Sequence, residues 1–265
     1  MSAPALGFGV SGPLATPLVT AGATRALVEE AFAQGIRIFD TGPSYGAGEA
    51  ERRLGLALKG RRGQAVVMTK VGVSDAGLGR RRRDFSPTAV CRSLEASLRR
   101  LGTDWVDIVW LHGPAPEELT PALLMALEAT GAARAIGLVG RGAEIEAGLE
   151  RYPFSAVMAP VGAHLDASQR DRLARLAARG VALYGIEAFA AAAPDRRAAR
   201  TPADLWYAAR GLARPRQSLL KPQTALSAAL ATPGLACLVF TTTRMANLRA
   251  NVAQARALDP AVGRS

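Results

Sequence analysis

Eight short apolar runs recur along the chain, and helical patterns separate them. The runs are ALGFGV (5–10), IRIFDT (36–41), AVVMTKV (65–71), WVDIVWLH (105–112), AIGLVG (135–140), SAVMAPV (155–161), VALYGIE (181–187) and ACLVFTT (236–242). Runs of this length read as buried strands. Strands that alternate with helices imply parallel βαβ construction, since a parallel neighbour needs a crossover connection. Eight such units in 265 residues, with no break in composition, predict an α/β fold: a single (β/α)8 TIM barrel over residues 1–265. An open doubly wound sheet is the alternative, and the lack of a GxGxxG after the first run counts against it.

The intervening segments carry helix signals. ATRALVEEAFAQG spaces Leu27, Val28, Ala31 and Phe32 at helical intervals. SPTAVCRSLEASLRRLG opens with Ser86 at the N-cap and Pro87 in the first turn, and Gly102 closes it. DASQRDRLARLAARG runs from Asp166 to Gly180, and RMANLRANVAQARAL follows the last strand. The longest connection, 188–204, reads as an insertion after the seventh strand.

Composition narrows the function classes. Hydrophobic residues make up 49% of the chain, enough for a large core. Cys91 and Cys237 lie in apolar periodic segments and read as reduced core cysteines of a cytoplasmic protein. MSAPALGFGVSGP has no basic n-region, so no signal peptide is expected, and no uncharged run reaches the ~18 residues of a membrane span. Net charge is +11. Arginine supplies 30 of the 33 cations, spread along many helices as in RRLGLALKGRR, which reads as solvated helix faces rather than a nucleic-acid surface. The one dense run, Arg80 to Arg83, reads as a loop without interleaved aromatics. The positive field suits an anionic ligand such as a phosphorylated cofactor.

In a parallel barrel the chemistry sits at the C-terminal ends of the strands. Asp40 ends the second run, Lys70 stands near the end of the third and His112 ends the fourth, while Tyr45 lies in the loop just after Asp40. Each has an ordinary role open to it: Asp40 as a turn cap, Lys70 snorkelling to solvent, His112 as a satisfied core residue, Tyr45 as an amphipathic loop residue. Four at one rim favour a shared site. A phenol titrates near ~10, and a neighbouring ammonium stabilises its ionised form. An aspartate would hold that ammonium, and a histidine could donate to a substrate oxygen. The set suits proton transfer at a carbonyl or alkoxide oxygen. The histidines, His112 and His164, and the two cysteines show no metal-ligand spacing, and no nucleophile elbow occurs.

These residues, in this order, resemble the aldo-keto reductase family over nearly the whole chain. The strongest blocks are FDTGPSYGAGEAERRLG, VVMTKVG, DFSPTAVCRSLEASLRRLGTDWVDIVWLHGP and TTTRMANLRAN. Within the family they look most like bacterial and plant dehydrogenases of galactose- or threo-aldose-type sugars. The resemblance implies a (β/α)8 barrel that binds a nicotinamide cofactor in extended form, NADP(H) ahead of NAD(H). It implies a catalytic tetrad of Asp40, Tyr45, Lys70 and His112. Tyr45 would be the general acid or base, Lys70 and Asp40 would tune it, and His112 would orient a carbonyl. The partner implied is a small-molecule carbonyl or sugar substrate; family members are often monomers, and the sequence itself leaves the oligomeric state open.

The cofactor positions match less fully. Tyr184 matches the aromatic that stacks on the nicotinamide. The serine and asparagine usual after strand five, and the glutamine after strand six, are replaced around Val139, Gly140 and Met158. Gly185, Ile186 and Glu187 follow Tyr184, and an acid there is expected to repel a pyrophosphate. Thr241, Thr242, Thr243 and Arg244 fill the phosphate motif before the last helix. Asn247 stands where an arginine usually meets the 2′-phosphate, with Arg244 as the substitute, and Asn251 matches the asparagine near adenine. Ser11 and Gly113 replace bulky aromatics, which implies a wider pocket walled by the 188–204 loop, Phe189 or Trp206, the two aromatics being equally placed to be core. Two other readings remain at this point: a degenerate binding or regulatory protein with weak cofactor affinity, and a Schiff-base lyase using Lys70.

Overall fold

The computed structural model describes residues 5–77, 80–192, 201–206 and 220–258. Its strands are β1 (Ala5–Gly9), β2 (Ile38–Asp40), β3 (Val66–Val71), β4 (Val73–Asp75), β5 (Arg81–Arg83), β6 (Val106–His112), β7 (Ala133–Val139), β8 (Ala156–Pro160), β9 (Ala182–Ile186) and β10 (Leu235–Phe240). Eight of them close a parallel barrel in the order β1, β10, β9, β8, β7, β6, β3, β2. Gly7 of β1 lies opposite Ile38 of β2 and completes the ring, so the open doubly wound sheet is ruled out. The other two were not foreseen. Arg81–Arg83, expected as loop, pairs antiparallel with β4, with Asp75 opposite Arg81. A run of three arginines has no apolar alternation, so no periodic signal marks it as a strand.

The helices are α1 (Ala21–Ala33), α2 (Glu49–Ala57), α3 (Pro87–Leu101), α4 (Pro121–Ala129), α5 (Glu144–Arg151), α6 (Ala167–Ala178), α7 (Pro222–Leu230) and α8 (Met245–Leu258). Leu27, Val28 and Ala31 form the buried stripe of α1, with Phe32 half-buried beside them. Gly102 ends α3 in the left-handed conformation at φ 66°. Asp166 caps α6 reciprocally with Gln169. Ser86 sits at the N-cap of α3, but its hydroxyl donates to Asp84 Oδ1 at 2.7 Å instead of capping the helix. Cys237 is buried in the barrel, whereas Cys91 is only half-buried on α3, and both are free thiols. No helix among the described residues is long and apolar enough to cross a membrane.

The strand period of two decides what faces the barrel interior. Met68, Ile108, Trp110, Met158, Cys237 and Val239 pack there, with Ile38, Val66 and Tyr184 against them. The same period carries β2, β3 and β6 up to Asp40, Lys70 and His112 at the C-terminal mouth. Gly137 of β7 makes room for this layer: an added Cβ would stand 2.2 Å from Trp110 Cζ3. Gly137→Ala therefore overpacks the interior at a rigid ring and is expected to cost about 1–3 kcal/mol. A lowered urea midpoint with an unchanged slope checks it; an unchanged midpoint contradicts the packing argument.

Candidate active site

Asp40 and Lys70 are 5% and 2% exposed, respectively, and their contact is direct. Lys70 Nζ donates to Asp40 Oδ1 at 2.7 Å, to Oδ2 at 2.6 Å and to the Thr41 carbonyl at 2.7 Å. Burial pushes the Asp40 carboxyl up from its usual value, against the Lys70 charge. Burial also opposes the Lys70 ammonium, but Asp40 and Tyr45 outweigh it and its pKa is raised. A raised, fully partnered ammonium is not a free amine, so the structure speaks against a Schiff base on Lys70. The strand that carries Lys70 is anchored from behind. Thr69 Oγ1 donates to the fully buried Glu51 of α2 at 2.5 Å, and Arg100 Nε of α3 donates to the same carboxylate at 2.6 Å.

Tyr45 is placed by an unusually tight loop. Gly46, Ala47 and Gly48 all take left-handed φ values of 60°, 52° and 88°. At Gly46 a Cβ would lie 2.0 Å from the Ala15 carbonyl oxygen, so only glycine allows this approach. Arg53, expected on a solvated helix face, is buried and donates to the carbonyls of Leu14 and Val19 at 2.9 and 2.6 Å, tying α2 to the same turn. The result sets the Tyr45 ring over Lys70, with Nζ 5.2 Å from the ring centroid.

His112 faces the same space. Its Nδ1 is buried with no hydrogen-bond partner among the described residues. Burial, and then the charges of Lys70, Arg81, Arg83 and Arg141, push its pKa down to about 3. The imidazole is therefore neutral at physiological pH, able to donate one hydrogen bond rather than supply a second positive charge. Asp40, Lys70, Tyr45 and His112 thus meet at one mouth: a buried ion pair, a phenol above it and a neutral imidazole.

A profile of the Aldo/keto reductase family matches residues 6–255. The chain belongs to that family. Over 161 residues it is 35% identical to D-threo-aldose 1-dehydrogenase of a Pseudomonas species, covering 52% of this chain and 49% of that one. Over 148 residues it is 38% identical to L-galactose dehydrogenase of Arabidopsis thaliana, covering 51% and 44%. The chain spans about half the length of these curated relatives. An aldo-keto reductase of Bacillus halodurans, in its holo form, superposes with a TM-score of 0.75 at 26% identity, over 94% of this chain and 85% of that one.

Elsewhere this family member departs from its sequence-level expectations. Tyr184 points into the barrel and meets Trp110 edge-on, ring centroids 5.1 Å apart. Gly185 faces the other way, where a Cβ would strike Val161 and Leu235 at 2.6 and 2.8 Å, so packing accounts for the glycine. Glu187, read as a repulsive acid, is bonded to Arg141, with oxygens 2.5 and 2.9 Å from its guanidinium. Arg141 had no signal in the sequence, since its partner lies 46 residues away.

On another side of the same mouth, Thr241 Oγ1 donates to the Gly9 carbonyl at 2.9 Å and lies 3.3 Å from Ser11 Oγ, tying β10 to β1. Thr242 is buried and its hydroxyl accepts from the Arg244 amide at 3.2 Å; Thr243 is half-buried. Arg244 donates to Asp204 at 2.7 Å, so its guanidinium is already engaged. Asn247 is exposed and Asn251 half-buried on α8. Trp206 stands over Gly12, just beyond β1, where an added Cβ would lie 3.2 Å from its ring, and Phe189 packs against the core. Residues 193–200 of the expected wall loop lie outside the described residues.

Proposed function

We propose that this chain interconverts a carbonyl compound and an alcohol by hydride transfer, using NADP(H) ahead of NAD(H). The observation that carries the reading is the buried Asp40–Lys70 pair beneath Tyr45. When bound, the nicotinamide supplies or accepts the hydride. Tyr45 gives its proton to the substrate oxygen in reduction and takes it back in oxidation. The Lys70 ammonium stabilises the negative charge on the phenol oxygen as the proton leaves, and Asp40 holds that ammonium in place. Neutral His112 donates to the substrate oxygen and fixes its direction.

The polar groups around the mouth fit a dinucleotide in part. Tyr184 offers a ring beside the interior, and Thr242, Thr243 and Arg244 precede the N-terminus of α8, where backbone N–H groups favour a phosphate. The carboxamide side lacks its usual amides: Met158 is buried, and Gly140 packs so closely that a Cβ would lie 2.4 Å from Ile145 Cγ1. Arg141 and Glu187 are the polar groups available there. Arg244 must leave or share Asp204 to reach a 2′-phosphate, which sets a cost on NADP(H) preference. That altered grip also motivates a second reading, a binding protein of weak cofactor affinity.

Loss of the reduced-nicotinamide absorbance with an aldehyde, ketone and aldose panel tests the first reading. Titration of NADPH and NADH by tryptophan fluorescence tests the second. Turnover with dissociation constants near ~1 μM, about −8 kcal/mol, supports the enzyme. Binding weaker than ~1 mM with no turnover supports the binding protein.

A further inference from the structure

The barrel mouth carries more positive charge than proton transfer requires. β5 presents Arg81, Arg82 and Arg83 on an exposed hairpin. Strand alternation sends Arg81 and Arg83 to one face and Arg82 to the other. Two observations identify those faces. Arg83 Nη2 donates at 3.0 Å to the carbonyl of Gly113, the residue after His112. Arg82 instead lies 3.6 Å from Asp84. Consistently, Arg81 and Arg83 act on the charge of His112, whereas Arg82 is not among the groups that do. Arg141, two residues past β7, pairs with Glu187, the residue after β9, so both stand at the C-terminal ends of their strands, and the Arg141 charge bears on His112.

Neutralisation of this set is incomplete. Arg83 pairs with Glu118 at 2.7 Å and Arg141 with Glu187 at 2.5 Å. Arg81 has no ion pair among the described residues: Asp75, opposite it in the hairpin, accepts instead from the Gly77 amide at 2.6 Å. There is also room at Gly113, next to His112. A Cβ at Gly113 would meet only the Val139 carbonyl oxygen, at 3.8 Å. Some exposed arginines elsewhere are held by glutamates on their own helix, as Arg99 is by Glu95 and Arg52 by Glu49, and others by acids on a neighbouring element, as Arg249 is by Glu30. The hairpin arginines are different because they flank the acid–base centre.

We propose that Arg81, Arg83 and Arg141 select carbonyl substrates bearing a carboxylate or phosphate away from the reacting carbon. The proposal rests on the oxidoreductase reading and adds a substrate class to it. A fixed cationic rim raises the local concentration of anions and orients the tail, leaving the carbonyl at Tyr45 and His112.

Two matched pairs test it: 4-oxobutanoate against butanal, and glyceraldehyde 3-phosphate against glyceraldehyde. The anionic member is expected to show a kcat/KM about tenfold or more higher at low salt, with the preference shrinking as ionic strength rises. Arg81→Glu is expected to cut the anionic-to-neutral ratio by about tenfold or more. Arg82→Glu, the same charge change on the opposite face, leaves the ratio within about twofold. Equal rates for the two members of both pairs, or an equal effect of the two variants, overturn the proposal. A preference confined to one pair keeps it and names the anion. Tryptophan-fluorescence titration with the same four compounds separates selection from chemistry. Selective anion binding lost in Arg81→Glu, without any turnover, keeps the substrate class and removes the oxidoreductase reading. No turnover and no selective binding remove both.

Discussion

Tyr45→Phe is expected to lower kcat/KM for carbonyl reduction by about 10²–10⁴-fold, the contribution of a positioned acid or base. The change deletes one oxygen and leaves the ring, which packs against the core and lies over Lys70. Folding and cofactor affinity should therefore stay near their original values. Lys70 and Asp40 remain bonded to each other, so the ion pair survives without the group it serves. Steady-state rates on the best carbonyl found, beside a thermal melt and a cofactor titration, make the comparison. A rate within about twofold of the original would remove Tyr45 from proton transfer.

Lys70→Met carries the largest expected effect on stability. It leaves the Asp40 carboxyl buried without its cation, and breaking such a pair costs about 3–5 kcal/mol. The cost should depend on pH, with a definite sign. Burial already raises the Asp40 pKa, and Lys70 is the group that opposes this. Without Lys70 the folded chain holds a proton that the unfolded chain releases, so stability falls as pH rises from the ordinary carboxylate range through the raised folded value. Urea midpoints at pH 5 and pH 8 give the contrast: the variant is weaker at the higher pH. Adding Asp40→Asn removes the titrating group and recovers most of that difference. Equal loss at both pH values would sink the account, since a purely steric defect has no pH dependence. Activity falls in both variants, because neither holds a cation under Tyr45.

Much of this was legible in order of sequence. Each barrel strand is a local apolar run, so periodicity exposed all eight, and strand ends drew attention to Asp40, Lys70 and His112. The tight loop around Tyr45 was visible as glycine, although only the structure shows that Gly46 is required by the Ala15 carbonyl. What stayed hidden was pairing at long range. Glu187 read as a stray acid, Arg141 as nothing in particular and Arg244 as an open phosphate ligand. In the fold, Glu187 and Arg141 hold each other, and Arg244 is bonded to Asp204. The arginine run at β5 reads as a loop in the sequence because a strand of identical polar residues has no contrast between its faces.

The sequence by itself determined the barrel, the family and the four residues at its mouth. These follow from local period, from strand ends and from a motif that is contiguous or nearly so. The tertiary structure alone decided how that site is held and what surrounds it: the Glu51 bridge between Thr69 and Arg100, the Arg141–Glu187 pair and the face on which Arg81 and Arg83 lie. The physical reason is separation along the chain. Arg100 meets Glu51 across 49 residues and Arg141 meets Glu187 across 46, and no local pattern encodes which distant charge a side chain will find once the barrel closes.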